Sequence, residues 1–136
     1  MERVPERSRA RVLGALERAV LDRLWAGGAA DVKAMHRAVG EARGISPNTV
    51  HSALERLVRK GLAARTKVGR AFEYAPRVSR REWIAAELDE LAAAARGPAE
   101  LLLTAFVDLT ERAGRERLAE LEALVRGRRR RRKEAP

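Results

Sequence analysis

The side chains in this 136-residue chain that are best placed to do chemistry are hydrogen-bonding and cationic, not catalytic. Ser46, Asn48, Thr49, His51, Ser52 and Arg56 crowd into one short segment, and Arg65, Lys67 and Arg70 follow soon after. Short polar groups beside a long arginine can bond base edges, Asn suiting adenine and Arg suiting guanine. Cations on a neighbouring loop can hold backbone phosphates without reading sequence. Other chemistries lack their parts. The chain has no cysteine, which removes disulfides, thiolate metal sites and cysteine nucleophiles together. Its two histidines, His36 and His51, cannot build a metal site unaided, and there is no HExxH pattern. There is also no paired acid and base, nucleophile elbow or phosphate loop, so the reading is not an enzyme, with no metal and no cofactor.

Those polar residues need a helix to present them, and the segment supplies its start. Ser46 can cap free backbone N–H groups, and Pro47 fits the first helical position, where a missing N–H costs nothing. Val50, Leu54, Leu57 and Val58 make the buried stripe and Gly61 closes the helix. With Val50 at the centre of the buried face and 100° per residue, Asn48, Ser52, Glu55, Arg56 and Arg59 fall on the far side. Thr49 and His51 lie on its flanks.

Two helices come before it. Leu13, Leu16, Val20 and Leu24 recur at helical spacing until Gly27-Gly28. Asp31 is a suitable N-cap for a second helix, which buries Val32, Met35, His36 and Val39, is weakened by Gly40 and ends at Gly44. His36 on that stripe reads as a satisfied core residue, and Trp25 and Trp83 as packing anchors. Extended runs over 62–68 and 71–75, with Phe72 and Tyr74 alternating with polar neighbours, predict a hairpin turning at Gly69-Arg70.

Ser79-Arg80-Arg81-Glu82 has capping-box spacing and opens a helix carrying Ile84, Leu88, Leu91 and Ala95. Gly97-Pro98 breaks it. The next helix carries Leu101, Leu102, Ala105, Phe106 and Leu109, and the last carries Leu118, Leu121, Leu124 and Val125 and is expected to end at Gly127. The fold predicted is mainly α with a small β-hairpin: a winged helix-turn-helix domain plus a C-terminal helical dimerisation domain. The boundaries are a flexible arm over 1–11, the winged helix over 12–78, the dimerisation helices over 79–125 and a basic tail over 126–136. Apolar stripes on three short helices need a cover, and a second copy of the chain related by a two-fold axis provides one.

Charge is divided in the same way. Residues 1–81 hold 18 basic and 8 acidic side chains, residues 82–125 hold 4 and 10, and residues 126–136 hold 7 and 1. One part of the chain is therefore suited to a polyanion and another is repelled by it. There is no apolar run of membrane-spanning length and no secretory signal at the N-terminus, so a cytoplasmic protein without membrane insertion is expected.

Three blocks together resemble the penicillinase-repressor family. They are Leu13-Gly14-Ala15-Leu16-Glu17 with Val20-Leu21-Asp22-Arg23-Leu24-Trp25, Ser46-Pro47-Asn48-Thr49-Val50 continued by residues 54–62, and Gly69-Arg70-Ala71-Phe72-Glu73-Tyr74-Ala75-Pro76. They stand in order at the expected spacing, and the resemblance covers roughly residues 12–125. It implies a transcriptional repressor that binds a palindromic double-stranded DNA operator as a homodimer. Ser46, Asn48, Thr49, His51, Ser52, Arg56, Arg65, Lys67 and Arg70 would then meet DNA. Ile84, Leu88, Leu91, Leu102, Phe106, Leu109, Leu118 and Leu121 would form the dimer seam. The resemblance further implies relief through a membrane metalloprotease sensor system and cleavage in the dimerisation region. Phe106 is present at that place, while Ala105 stands where the family pattern has Asn. The cysteines of the related copper repressors are absent, and the Arg128–Lys133 run departs from the family's usual end. Two other readings stay open from the residues alone: an architectural or structured-RNA-binding protein with little sequence preference, and a winged-helix regulator responding to a small molecule.

Overall fold

The computed structural model describes residues 13–135, so the arm read over 1–11 lies outside the described residues. The helices are α1 (Ala15–Gly27), α2 (Val32–Met35), α3 (Pro47–Arg59), α4 (Arg80–Ala94), α5 (Ala99–Arg112) and α6 (Arg115–Glu134). Strands β1 (Ala63–Val68) and β2 (Ala71–Pro76) stand between α3 and α4. Three helices followed by a hairpin form a winged helix-turn-helix, and three further helices follow. The chain divides into two compact units, one ending at Glu90 and the other starting at Leu91.

In the first unit, local signals set the helix ends. Gly28, with φ 79°, terminates α1. The Asp31 carboxylate accepts the Ala34 N–H at 2.8 Å and starts α2, which continues through a π turn over His36–Gly40 and a 3-10 turn over Glu41–Arg43 to Gly44. Ser46 Oγ accepts the Thr49 N–H at 3.3 Å, and Pro47 occupies the first turn of α3. The strands pair antiparallel, with Ala63 opposite Pro76 and Val68 opposite Ala71. Gly69 takes φ 63° in the two-residue turn, a conformation that glycine adopts without steric cost.

Val20, Leu21 and Leu24 from α1 meet Met35 and Val39, then Val50, Ala53, Leu54 and Leu57 from α3, and Leu62, Ala63 and Tyr74 from the hairpin. Phe72 does not join them: it is 40% exposed, and the Arg65 guanidinium lies over its ring at 4.6 Å. Ala30 and Tyr74 exchange backbone hydrogen bonds of 2.8 and 2.9 Å, which adds a one-residue bridge beside the hairpin that period-2 patterning does not reveal. Gly40 is a packing requirement as well as a poor helix former. A Cβ there would lie 2.6 Å from His36 Cδ2 and 2.9 Å from Val50 Cγ2. His36 is half-buried, with Nε2 2.8 Å from the Ile45 carbonyl oxygen, so it is satisfied within the fold. Trp25 donates to the Val78 carbonyl at 2.9 Å and packs against Trp83 with ring centroids 6.0 Å apart, as packing anchors should. Ser79 Oγ accepts the Glu82 N–H at 3.0 Å at the start of α4.

In the second unit, α5 and α6 pack together, leaving a shallow groove lined by Phe106, Leu109, Leu121 and Leu124. The expectation that Gly127 ends the last helix is corrected, because α6 runs through it to Glu134. An isolated glycine costs a helix only about 1 kcal/mol. Leu and Ala before it and arginines after it are all strong helix formers, and cations near the C-terminus suit the helix dipole. The Arg128–Lys133 run is therefore helical and not a loose tail.

Candidate nucleic-acid interface

The predicted contact residues divide by what already occupies them. Asn48 and Ser52 are exposed on the N-terminal half of α3 and have no side-chain partner among the described residues. Lys67 and Arg70, on and beside the wing turn, are likewise exposed and unpaired among the described residues. Ser46 and Thr49 are exposed too, but their hydroxyl oxygens lie 3.1 Å apart within the helix cap.

The other three meet partners inside the fold. Arg56 falls on the far side of α3 on the helical wheel. Its Nε lies 3.2 Å from Glu17 of α1, whose other carboxylate oxygen accepts a 2.5 Å bond from Lys60. Glu17 is 8% exposed, so this ion-pair cluster ties the C-terminal half of α3 to α1. Glu55 is turned toward the wing and not to open solvent. Its Oε1 accepts 2.6 Å bonds from both the Tyr74 hydroxyl and Arg65, with His51 Nε2 3.6 Å away. Donors converging on one oxygen stabilise its charged form. The Tyr74 hydrogen bond is the main reason that the Glu55 carboxyl is held below its ordinary value, with further help from Arg65 and His51. Burial, reinforced by the bond to Glu55, pushes the Tyr74 hydroxyl up to about 12. Glu55 in turn raises Arg65 above its ordinary value. This network fastens the wing to α3, so that Arg65 both positions the hairpin and presents a cation beside it. Sequence spacing could not reveal it, because its members are brought together only by the fold.

This geometry is a helix with free short polar groups beside a basic hairpin tip. No group of three or more His, Cys, Asp or Glu side chains able to hold a metal occurs among the described residues. Residues 13–127 match the penicillinase repressor family.

The chain belongs to that family.

The transcriptional regulator BlaI of Mycobacterium tuberculosis is 37% identical over 121 residues, a match covering 82% of this chain and 86% of the relative. Among solved structures, Bacillus licheniformis BlaI in its monomeric form with the blaP half-operator aligns at 23% identity and a TM-score of 0.45, covering 60% of this chain and 93% of that one. A fragment of a possible transcriptional regulatory protein from Mycobacterium bovis aligns at 21% identity and 0.49, covering 60% and 85%. This penicillinase-repressor family member is thus a BlaI-like transcriptional repressor with a winged-helix DNA-binding domain. No helix among its described residues is long and apolar enough to cross a membrane.

Proposed function

We propose that this repressor binds a palindromic operator as a homodimer and reads it with the N-terminal half of α3. The observation that carries this is the division of labour along α3. Glu55 and Lys60 bond to the wing and to α1, and Arg56 lies in an ion pair with Glu17, whereas Asn48 and Ser52 have free hydrogen-bonding groups. A helix held at its C-terminal half and open at its N-terminal half suits insertion into a major groove, where N-terminal residues meet base edges. Lys67 and Arg70 on the wing would add phosphate contacts that set affinity and orientation.

The dimer completes the reading. The described side chains from Leu91 onward include none that is buried, and Leu102, Phe106 and Leu109 are open to solvent in a single chain. Two copies joined there, with Ile84, Leu88 and Leu91 of α4 contributing, would hold two α3 helices for successive major grooves about 34 Å apart. Repression is then steric, by covering a promoter. Relief by cleavage at Ala105–Phe106, under a membrane metalloprotease sensor system, would separate the copies. That bond lies within regular α5, where the Phe106 carbonyl also accepts from Thr110 Oγ1 at 2.8 Å, so a protease must first unwind the helix.

The test is to select fragments of genomic DNA with the purified protein and to compare the recovered inverted repeat with random duplex. Combined Asn48→Ala and Ser52→Ala is expected to abolish most of the preference, each lost base contact being worth about 1–3 kcal/mol of discrimination. Equal losses on both duplexes would show that these side chains do not read sequence.

A further inference from the structure

We infer that the C-terminal segment of α6, Arg126 to Lys133, is a second DNA contact that grips duplex phosphates without regard to sequence. Seven of its eight residues are cations, all exposed, and none has an ion-pair partner among the described residues. The run is held in a continuous helix, and Arg128–Lys133 lies beyond residues 13–127, the part matched to the family. At about 1.5 Å rise and 100° per residue, six consecutive cations surround the whole helix. Their linear density, about one charge per 1.5 Å, is close to the one phosphate per roughly 1.7 Å of duplex axis.

Like charges three and four residues apart repel along this helix, as Arg128 with Arg131 and Arg132, and Arg129 with Arg132 and Lys133. A polyanion relieves that repulsion. The composition selects which one. Residues 126–134 contain no aromatic side chain on which single-stranded bases could stack, and no Leu, Phe or Trp to sink into a lipid interface. Duplex phosphates need neither and reward charge alone, and the winged-helix DNA-binding domain in the same chain makes double-stranded DNA the duplex at hand. The inference does not depend on operator reading by Asn48 and Ser52, because it concerns duplex of any sequence.

The experiment measures binding of the full chain to a random-sequence duplex from 50 to 200 mM salt. The wild type is compared with a variant carrying Arg128→Gln through Arg132→Gln together with Lys133→Gln, whose helicity is verified by circular dichroism. With about half of the six cations on phosphates, the slope of log K against log salt should become shallower by about 3. Affinity for operator and random duplex should fall by the same factor, leaving their ratio intact. A version with lysine at all six positions should restore the slope, since point charges suffice for phosphates. Unchanged slopes would overturn the inference, as would a loss confined to single-stranded RNA or to anionic vesicles. Combined Asn48→Ala and Ser52→Ala should do the reverse, changing the ratio and leaving the slope, so the two sites fail separately.

Discussion

Up to Glu90 the chain keeps twelve hydrophobic side chains buried, from Val20 to Tyr74, whereas no described residue from Leu91 onward is buried. Both regions are largely helical and rich in Leu and Ala, so apolar composition does not separate them. What separates them is whether the apolar stripes find partners in the same chain. In the head, stripes from α1, α2 and α3 converge with Tyr74 of β2 on one core. In the second unit, α5 and α6 share a groove, yet Leu101, Leu103, Leu109 and Leu124 stay more than half exposed. The head closes a core of its own, whereas the apolar side chains of the C-terminal helices stay open in the single chain.

The largest effect should come from attacking those open stripes, the seam of the proposed homodimer. Replacing Leu102 and Phe106 together by Glu should halve the mass in solution and lower operator affinity by about 10²- to 10⁴-fold through lost bivalency. The melting of the head should stay in place, since neither side chain is in its core. Light scattering or sedimentation reads the mass directly, and an unchanged dimer would refute the seam. The complementary change belongs in the head. Gly40→Ala should cost about 2 kcal/mol by overpacking, because the new methyl collides with His36 and Val50. Denaturant unfolding of the head would register it, and mass in solution would not change.

A smaller effect is expected where the wing joins α3. Tyr74→Phe removes a hydrogen bond to a charged carboxylate, worth about 1.5 kcal/mol at neutral pH. Its pH signature is more specific. With the Tyr74 hydroxyl pushed up to about 12 from an ordinary 10.0, the folded protein keeps a proton that the unfolded chain gives up. That contribution is complete below pH 10 and is lost as pH climbs toward 12. Thermal melts of Tyr74→Phe should therefore lack this part of the alkaline decline. On the acid side, Glu55 is held below its ordinary 4.5, so its contribution is present above that value and fades as pH falls. Removing Tyr74's bond, the main cause, should bring the acid loss to higher pH. An alkaline limb identical to wild type would mean that Tyr74 is not the group responsible.

How much of this was legible beforehand follows the range of the interactions. Ser46-Pro47, Asp31 and Ser79 announced their helix starts because a cap is formed by residues three apart. The hairpin turn was equally local. A helical wheel knows only its own helix, so it puts Arg56 and Glu55 on the outer face without showing the neighbours they meet there. Their partners, Glu17 and Tyr74, lie 39 and 19 residues away in sequence and arrive there only by folding. Phe72 alternated correctly for a strand, yet a two-stranded wing cannot cover both of its faces, so Arg65 covers the ring instead. The stripes of α5 and α6 are legible both as apolar and as too rich for one copy of the chain to cover, and in the single chain they stand exposed.

Glycine gives the smallest and most discriminating test of the difference between the regions. Gly40 and Gly127 look alike in sequence, each a lone glycine within a helical pattern, and both were read as weakening or ending a helix. At both, the surrounding backbone is helical, so alanine is favoured there by about 0.5–1 kcal/mol on propensity alone. At Gly40 a collision outweighs that gain. At Gly127 a Cβ meets nothing within 4 Å in the single chain, so Gly127→Ala should raise helicity and stabilise α6 by that small amount. The sign decides what packs there. A gain in helicity with unchanged mass in solution leaves Gly127 facing solvent in the proposed homodimer. A loss of dimer mass would mean that the partner's helix passes too close for a methyl group, extending the seam beyond Leu118 and Leu121 toward the basic end of α6.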